Sequence, residues 1–151
     1  MKVMMIREIV FIVFLVLVSI IDIKQKRVNI NLFIIYFLIG IFLLALSLVF
    51  KGTINLYDIS KSIIFGLLII FISIITNNGV GRADGLYFLI NSLYVSFSMN
   101  IYLFISGLYI LFLISIIIYI KRNGNIKHLA MPFLPCLLPY AIWSLYAHYR
   151  G

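Results

Sequence analysis

Residues that form disulfides or hold metal ions are scarce in this sequence. Cys136 is its single cysteine, which excludes a disulfide framework and a Cys-x-x-Cys metal pair within the chain. The two histidines, His128 and His148, are far apart and fall on opposite faces of the topology predicted below. We therefore predict no metal ion and no cofactor, and a serine–histidine pair has little support.

Charged residues are also scarce, at 11% of the chain, whereas hydrophobic residues make up 65%. The mean hydropathy is +1.22, and a soluble domain has only about 45–50% apolar residues. A water-soluble fold cannot bury so many apolar side chains. The sequence therefore predicts an all-α integral membrane protein. No linker, charge block or internal repeat divides it, so residues 1–151 are predicted to form a single polytopic domain.

Basic residues outnumber acidic ones, with 12 Lys and Arg against 4 Asp and Glu and a formal charge of +8. In a membrane protein, basic residues orient the helices and contact anionic lipid headgroups. We therefore predict membrane lipids as partners, and no nucleic acid. The first apolar run, Ile9–Ile21, follows Lys2 and Arg7 as a signal peptide would. It lacks a small-residue cleavage site and continues into a basic loop, which favours a membrane span.

Six hydrophobic stretches approach the roughly 20 residues that are needed to cross a bilayer. They predict a bundle of about six transmembrane helices. The fourth stretch is short, and a helix buried among the others is an alternative for it. The predicted spans are Val3–Ile21, Leu32–Phe50, Ile59–Thr76, Gly85–Ser98, Ile101–Ile120 and Leu129–Ala147.

The basic residues between these spans predict an orientation. Six spans put the three loops 22–31, 77–84 and 121–128 on one face, with both termini on the other. The loop face carries more basic residues, so we predict that it is cytoplasmic. Its basic residues are Lys24, Lys26, Arg27, Arg82, Lys121, Arg122 and Lys127, against Lys2, Arg7, Lys51, Lys61 and Arg150 on the opposite face.

Two aspartates, Asp22 and Asp84, lie at ends of spans on the predicted cytoplasmic face. Acidic residues in membrane helices are costly in lipid and are functional candidates by default. The other two acids, Glu8 and Asp58, have the pattern of ordinary interfacial residues. Each of the two candidates, taken alone, is more typical of a side chain that extends into the headgroups. Their occurrence on one face favours a shared site.

A pair of adjacent carboxylates supports proton-transfer chemistry. Two such groups cannot both ionise cheaply, so they share a proton, as in aspartic proteases. One carboxylate then activates a water that attacks a carbonyl, and the other protonates the carbonyl oxygen and later the leaving amine. A proton- or cation-coupled carrier is an alternative use of two intramembrane acids.

Glycine and other turn-forming residues precede the second aspartate. The segment from Asn77 to Gly85 reads Asn-Asn-Gly-Val-Gly-Arg-Ala-Asp-Gly, and glycine permits close approach of backbone to backbone or to substrate. An ordinary turn between two helices explains the composition equally well.

Three segments resemble the type IV prepilin peptidases, membrane aspartic proteases of the Gly-x-Gly-Asp type. The first is Asp22 to Asn29, similar to the family's first aspartate and the basic loop after it. Gly81-Arg82-Ala83-Asp84 looks like the Gly-x-Gly-Asp element with the second aspartate. Met131 to Cys136, which reads Met-Pro-Phe-Leu-Pro-Cys, is similar to the Pro-Phe-x-Pro segment of the last helix.

Three positions depart from the family pattern. Ala83 replaces the second glycine of the element, which a negative φ at that position accommodates. Asn29 stands where the family usually has proline, and Leu86 where it often has lysine. The chain also looks like a short form, because the loop after the first span is too short for the cysteine-rich insertion of many relatives.

The resemblance implies a membrane-embedded aspartic endopeptidase that cleaves the basic leader of prepilin-like precursors. The substrate is then another membrane protein, and the location is the bacterial plasma (inner) membrane with the active site at the cytoplasmic side. A non-catalytic subunit or inactive relative that binds pilin-like helices is the alternative. The catalytic residues would be Asp22 and Asp84, with Gly81, Arg82, Ala83, Pro132 and Pro135 binding substrate or shaping the site. Apart from that role, the prolines predict kinks in the last span.

Overall fold

The computed structural model describes residues 2–25, 28–50, 55–76, 81–121 and 131–150. These residues form six α-helices and one short 3₁₀ helix, with no β-strand among them, so the all-α prediction is confirmed. The helices are α1 (Lys2–Gln25), α2 (Ile30–Val49), α3 (Leu56–Ile75), α4 (Arg82–Asn91), α5 (Phe97–Lys121) and α6 (Leu138–Arg150), and the 3₁₀ helix (Leu134–Leu137) leads directly into α6.

Some residues named above lie outside these described ranges. Residues 77–80 of the glycine-containing segment are among them, as are several basic residues and one histidine of the loops. They are Lys26, Arg27, Lys51, Arg122, Lys127 and His128, together with the side chains of Lys2 and His148.

Four of the described helices, α1, α2, α3 and α5, are long and apolar enough to cross a membrane. Helix α4 has 10 residues, or about 15 Å at 1.5 Å per residue, against a bilayer core of roughly 30 Å. The predicted fourth span, Gly85–Ser98, is therefore not one continuous helix. Helix α4 ends at Asn91, and a buried turn joins it to α5. It corresponds to the alternative of a helix buried among the others.

The last predicted span, Leu129–Ala147, also differs from the observed helix. The 3₁₀ helix begins at Leu134, with Pro135 in its first turn, and Pro139 lies in the first turn of α6. Proline is tolerated at a helix start because the first N–H groups have no partner within the helix. The prolines thus lie where the helices begin, and not within one continuous helical span.

Helices α3 and α4 pack antiparallel at very short range. A Cβ atom added to Gly66 on α3 would lie 2.5 Å from the backbone N and Cα of Leu89 on α4. One added to Gly85 on α4 would lie 2.9 Å from the backbone N of Ile70 on α3. Small residues at helix interfaces allow this approach in membrane proteins.

The C-terminal end of α4 is held by buried amide side chains. Asn91 donates from Nδ2 to Oδ1 of Asn100 at 2.8 Å, and Asn100 donates from Nδ2 to the carbonyl oxygen of Phe88 at 3.1 Å. The hydroxyl of Tyr36 on α2 donates to Oδ1 of Asn91 at 3.1 Å. Both asparagines are fully buried, so this network supplies the polar partners that water provides elsewhere.

Two groups of aromatic rings connect the helices. The Tyr36 ring stacks between Phe14 on α1 and Tyr94 in the turn after α4, with centroid distances of 3.7 and 4.2 Å. A second group of rings joins α3, α4, α5 and the residue before the 3₁₀ helix. Its members are Phe65, Phe88, Phe104 and Phe133.

We expect Gly66→Ala to destabilise the protein. Replacing glycine by alanine in a helix gains about 1 kcal/mol in propensity, but overpacking against fixed atoms costs typically 1–3 kcal/mol. Here the fixed atoms are the backbone of Leu89. The thermal unfolding temperature in detergent should therefore fall.

Gly40→Ala on α2 is the matched control. Its added Cβ would meet the end of the Leu93 side chain, with Cδ1 at 2.8 Å, and that side chain can move. Gly40→Ala should lower the unfolding temperature less than Gly66→Ala. The reverse order would contradict the assignment of close backbone contact to Gly66.

Candidate active site

Asp22 and Asp84 come together at one end of the bundle. Asp22 lies in the last turn of α1 and Asp84 in the first turn of α4. The charge of Asp22 acts directly on the carboxyl of Asp84, and both side chains are partly buried. The structure thus brings together two carboxylates that are 62 positions apart in the sequence (84 − 22).

The Asp22 carboxylate is bound by main-chain groups of another element. It accepts hydrogen bonds from the backbone N–H groups of Phe133 and Leu134, at the start of the 3₁₀ helix. A helix start is a suitable place for an anion, because its first N–H groups point outward without partners. The segment from Met131 to Pro135 therefore contributes its backbone to the site.

The Asp84 carboxylate is held within its own helix. Gly81 is the N-cap of α4 and Asp84 the third residue of the helix. The backbone N–H of Gly81 donates to the Asp84 carboxyl, as an acidic residue does at the third position of a capping box. A favourable interaction with the positive end of the helix dipole accompanies this bond.

Position 81 requires glycine because the Asp84 carboxylate leaves no space for a side chain there. Its φ is −63°, which every residue can adopt. A Cβ at this position would lie 2.7 Å from Oδ2 of Asp84, so any side chain displaces the carboxylate. The sequence pattern identified this glycine, and the structure supplies the physical reason for it.

Ala83 causes no backbone strain. It is the second residue of α4, in regular helical conformation, where φ is close to −63°. Its side chain packs against the hydrophobic core. The departure from the second glycine of the motif is therefore compatible with the helix that carries Asp84.

Asn29 also has a structural role. It is the N-cap of α2, and its Oδ1 accepts a hydrogen bond from the backbone N–H of Asn31 at 3.0 Å. Asparagine is among the preferred N-cap residues. Its φ of −69° is one that proline also adopts.

The environment of Asp84 changes its acidity. Burial raises the pKa of the Asp84 carboxyl from 3.8 to about 7, and the neighbouring charge of Asp22 contributes in the same direction. The hydrogen bond from Gly81 opposes both effects. A carboxyl with this pKa is half protonated near neutral pH, so it can act there as a proton donor or as a proton acceptor.

The other site residues predicted from the sequence are Arg82, Pro132 and Pro135. Arg82, the first residue of α4, is exposed, whereas Pro132 and Pro135 flank the two donor residues Phe133 and Leu134. Sequence reasoning did not identify these backbone donors, because no side-chain pattern reports them. It also did not place Cys136 near the pair, although its buried thiol interacts electrostatically with Asp22.

Cys136 is held by its own turn. Its Sγ lies 3.7 Å from the carbonyl oxygen of Pro132. Within the described ranges, no group of three or more His, Cys, Asp or Glu side chains is placed to hold a metal ion.

Comparison with models of protein families, with curated proteins and with solved structures finds no significant match to this chain.

The acidity of Asp84 can be measured in the Asp22→Asn variant. Loss of the neighbouring charge removes one cause of the raised pKa, whereas burial remains. We expect the pKa of Asp84 to fall below about 7 and to stay above 3.8. The measurement is the carboxyl ¹³C shift against pH in protein labelled at aspartate, and the resonance missing in Asp84→Asn identifies the residue.

The chain has only three aspartates, Asp22, Asp58 and Asp84, so the spectrum is simple to assign. An Asp84 pKa that is unchanged or higher in Asp22→Asn would show that the two carboxyls do not interact.

Proposed function

We propose that this protein is a membrane-embedded aspartic endopeptidase that cleaves the basic leader of prepilin-like precursors at the cytoplasmic face. The observation that carries the proposal is the adjacency of the Asp22 and Asp84 carboxylates, each bound by backbone N–H groups, at one end of an apolar helical bundle. The sequence resemblance to the type IV prepilin peptidases supplies the substrate class.

The paired carboxylates provide the chemistry of peptide hydrolysis. The ionised member takes a proton from a water molecule, and the oxygen of that water bonds to the scissile carbonyl carbon. The protonated member donates its proton to the carbonyl oxygen, which gives a neutral tetrahedral diol.

Collapse of the diol completes the reaction. The first carboxyl passes its new proton to the amide nitrogen, and the C–N bond breaks to release the amine. A hydroxyl proton of the diol returns to the second carboxylate, so a carboxylic acid forms and the pair regains its starting state. The raised pKa of Asp84, about 7, supports this cycle because a proton is available at neutral pH.

The location of the pair suits a substrate in the same membrane. Asp22 lies in the last turn of a helix long enough to cross a bilayer, so its carboxylate is near the end of the span. A precursor with a basic leader before a hydrophobic helix would present the junction of the two at a similar depth.

The main test is cleavage of a co-expressed prepilin-like substrate, measured as a size shift on a gel. Asp22→Asn and Asp84→Asn should each lower the cleavage rate by at least about a hundredfold, because each removes one proton-transfer group. Both variants should still accumulate in the membrane.

Lys61→Gln is the matched control, since it also removes a charge with little change of shape. Lys61 lies near the N-terminal end of α3, with its Nζ 3.8 Å from the centre of the Tyr57 ring. Cleavage should therefore persist in this variant. Substantial cleavage by either aspartate variant would exclude the paired mechanism. Failure of the unaltered protein to cut any such leader would favour the non-catalytic subunit.

The pH dependence provides a separate test with purified protein. As the pH rises above about 7, the pair loses its shared proton, and no group remains to protonate the carbonyl oxygen. The cleavage rate should therefore decrease on the alkaline side. A rate that stays constant or increases well above that pH would be inconsistent with a shared proton.

A further inference from the structure

A cavity of about 420 Å³ lies at the other end of α1 and α4 from the aspartate pair. It lies at the end of α4: the turn from Ser92 to Ser96 forms one wall, and residues of α1, α3, α5 and α6 form the others. Arg7 lines this cavity, and about 22 Å along the axis of α1 separate Arg7 from Asp22, at 1.5 Å per residue. The cavity is distinct from the candidate active site.

Charged side chains of both signs line the cavity. Arg7 comes from α1, and the acids are its neighbour Glu8 and Asp58 of α3. Hydroxyl-bearing residues, among them Ser96 and Tyr140, complete the polar lining. A ligand that pairs with both kinds of charge carries an anionic group and a cationic group.

Arg7 is suited to an anion. Its Nη2 donates to the carbonyl oxygen of Leu93 at 2.5 Å, and its Nε is buried with no hydrogen-bond partner in the described part of the chain. An arginine side chain has five N–H donors in a planar fork, which matches the oxygens of a phosphate. The Leu93 bond fixes the side chain and so reduces the entropy lost on binding.

Asp58 is suited to a cation. It is the third residue of α3, and its backbone N–H donates to Oδ1 of the N-cap Asn55 at 3.4 Å. Its carboxylate has no ion pair with any residue that the structure describes. The start of a membrane-spanning helix lies at headgroup depth, where an ammonium group of a lipid is present.

We propose that this cavity binds a phosphate ester that carries an ammonium group, with the phosphate on Arg7 and the ammonium on Asp58. Phosphoethanolamine has this chemistry, either as the headgroup of a membrane lipid or as a free compound. A volume of about 420 Å³ is within the usual range of small-ligand pockets, roughly 300–1,000 Å³. The inference does not depend on the proposed peptidase activity.

The test uses the full chain, purified and delipidated in detergent, with binding measured by native mass spectrometry and by the shift in unfolding temperature. The probes are phosphatidylethanolamine, phosphatidylglycerol, which lacks the ammonium, and soluble phosphoethanolamine. We expect phosphatidylethanolamine to bind about tenfold more tightly than phosphatidylglycerol, the difference of one charge-assisted contact. Soluble phosphoethanolamine should compete for the site.

The soluble probe also identifies the source of the ligand. Tighter binding of the lipid than of soluble phosphoethanolamine assigns the site to a membrane headgroup, and equal affinity assigns it to a free phosphate ester. Equal binding of phosphatidylethanolamine and phosphatidylglycerol, or no binding of either, would overturn the proposal.

Two variants separate the charges of the site. Asp58→Asn should remove the preference for the ammonium-bearing lipid, and Arg7→Lys, which keeps the charge but loses the planar fork, should weaken both lipids. If Arg7→Lys fails to fold because its Leu93 contact is lost, Asp58→Asn alone decides. Lys24→Gln, in the last turn of α1 and outside the cavity lining, is the control, and its lipid preference should equal that of the unaltered protein. An unchanged preference in Asp58→Asn would contradict the assignment.

Discussion

The architecture depends on one constraint: helix α4 ends inside an apolar bundle, so its last carbonyl groups need donors from the protein. Side chains and turn amides provide them. Three side chains bind carbonyl groups here: Asn100 binds that of Phe88, the hydroxyl of Ser92 binds that of Leu89 at 2.6 Å, and Arg7 binds that of Leu93.

Backbone N–H groups of the turn bind two further carbonyls. The N–H of Leu93 donates to the carbonyl of Ile90 at 3.0 Å, and the N–H of Tyr94 donates to that of Asn91 at 2.9 Å. The donors lie on α1, on α5 and in the turn itself, and the end of α4 therefore determines how α1 and α5 pack around it.

The same short helix connects the two ends of the molecule. Asp84 lies near its positive end and Arg7 contacts the turn after its negative end, so both charges agree with the helix dipole. The register of α4 is fixed by backbone contact with α3 at Gly66 and Gly85, so its ends cannot shift independently. The length of α4 thus sets both the position of the aspartate pair and the presence of the cavity lined by Arg7.

Much of the fold was predictable because a bilayer requires long apolar helices, and hydropathy detects these directly. The pairing of Asp22 and Asp84 was predictable because both are rare acids on one predicted face. The residue at which α4 ends was not predictable, since hydrogen bonds from residues distant in the sequence fix it. Asn91, inside the predicted fourth span, and Asn100 were the available signal, because buried polar residues among apolar ones require partners. The start of the last helix was missed because the prolines were interpreted as kinks of a longer helix.

Main-chain groups hold both aspartates, and this explains why departures from the motif that the sequence resembles are compatible with the candidate site. Asp22 lies at the C-terminal end of α1, where the dipole disfavours a negative charge. The N–H groups of Phe133 and Leu134 offset this cost, and Gly81 does the same for Asp84. Asn29 and Ala83 change side chains without removing any of these donors. Gly81 differs from them, because its missing side chain is the space that the Asp84 carboxylate occupies. The site therefore constrains Gly81 more strongly than the second glycine position of the motif, where this chain has alanine.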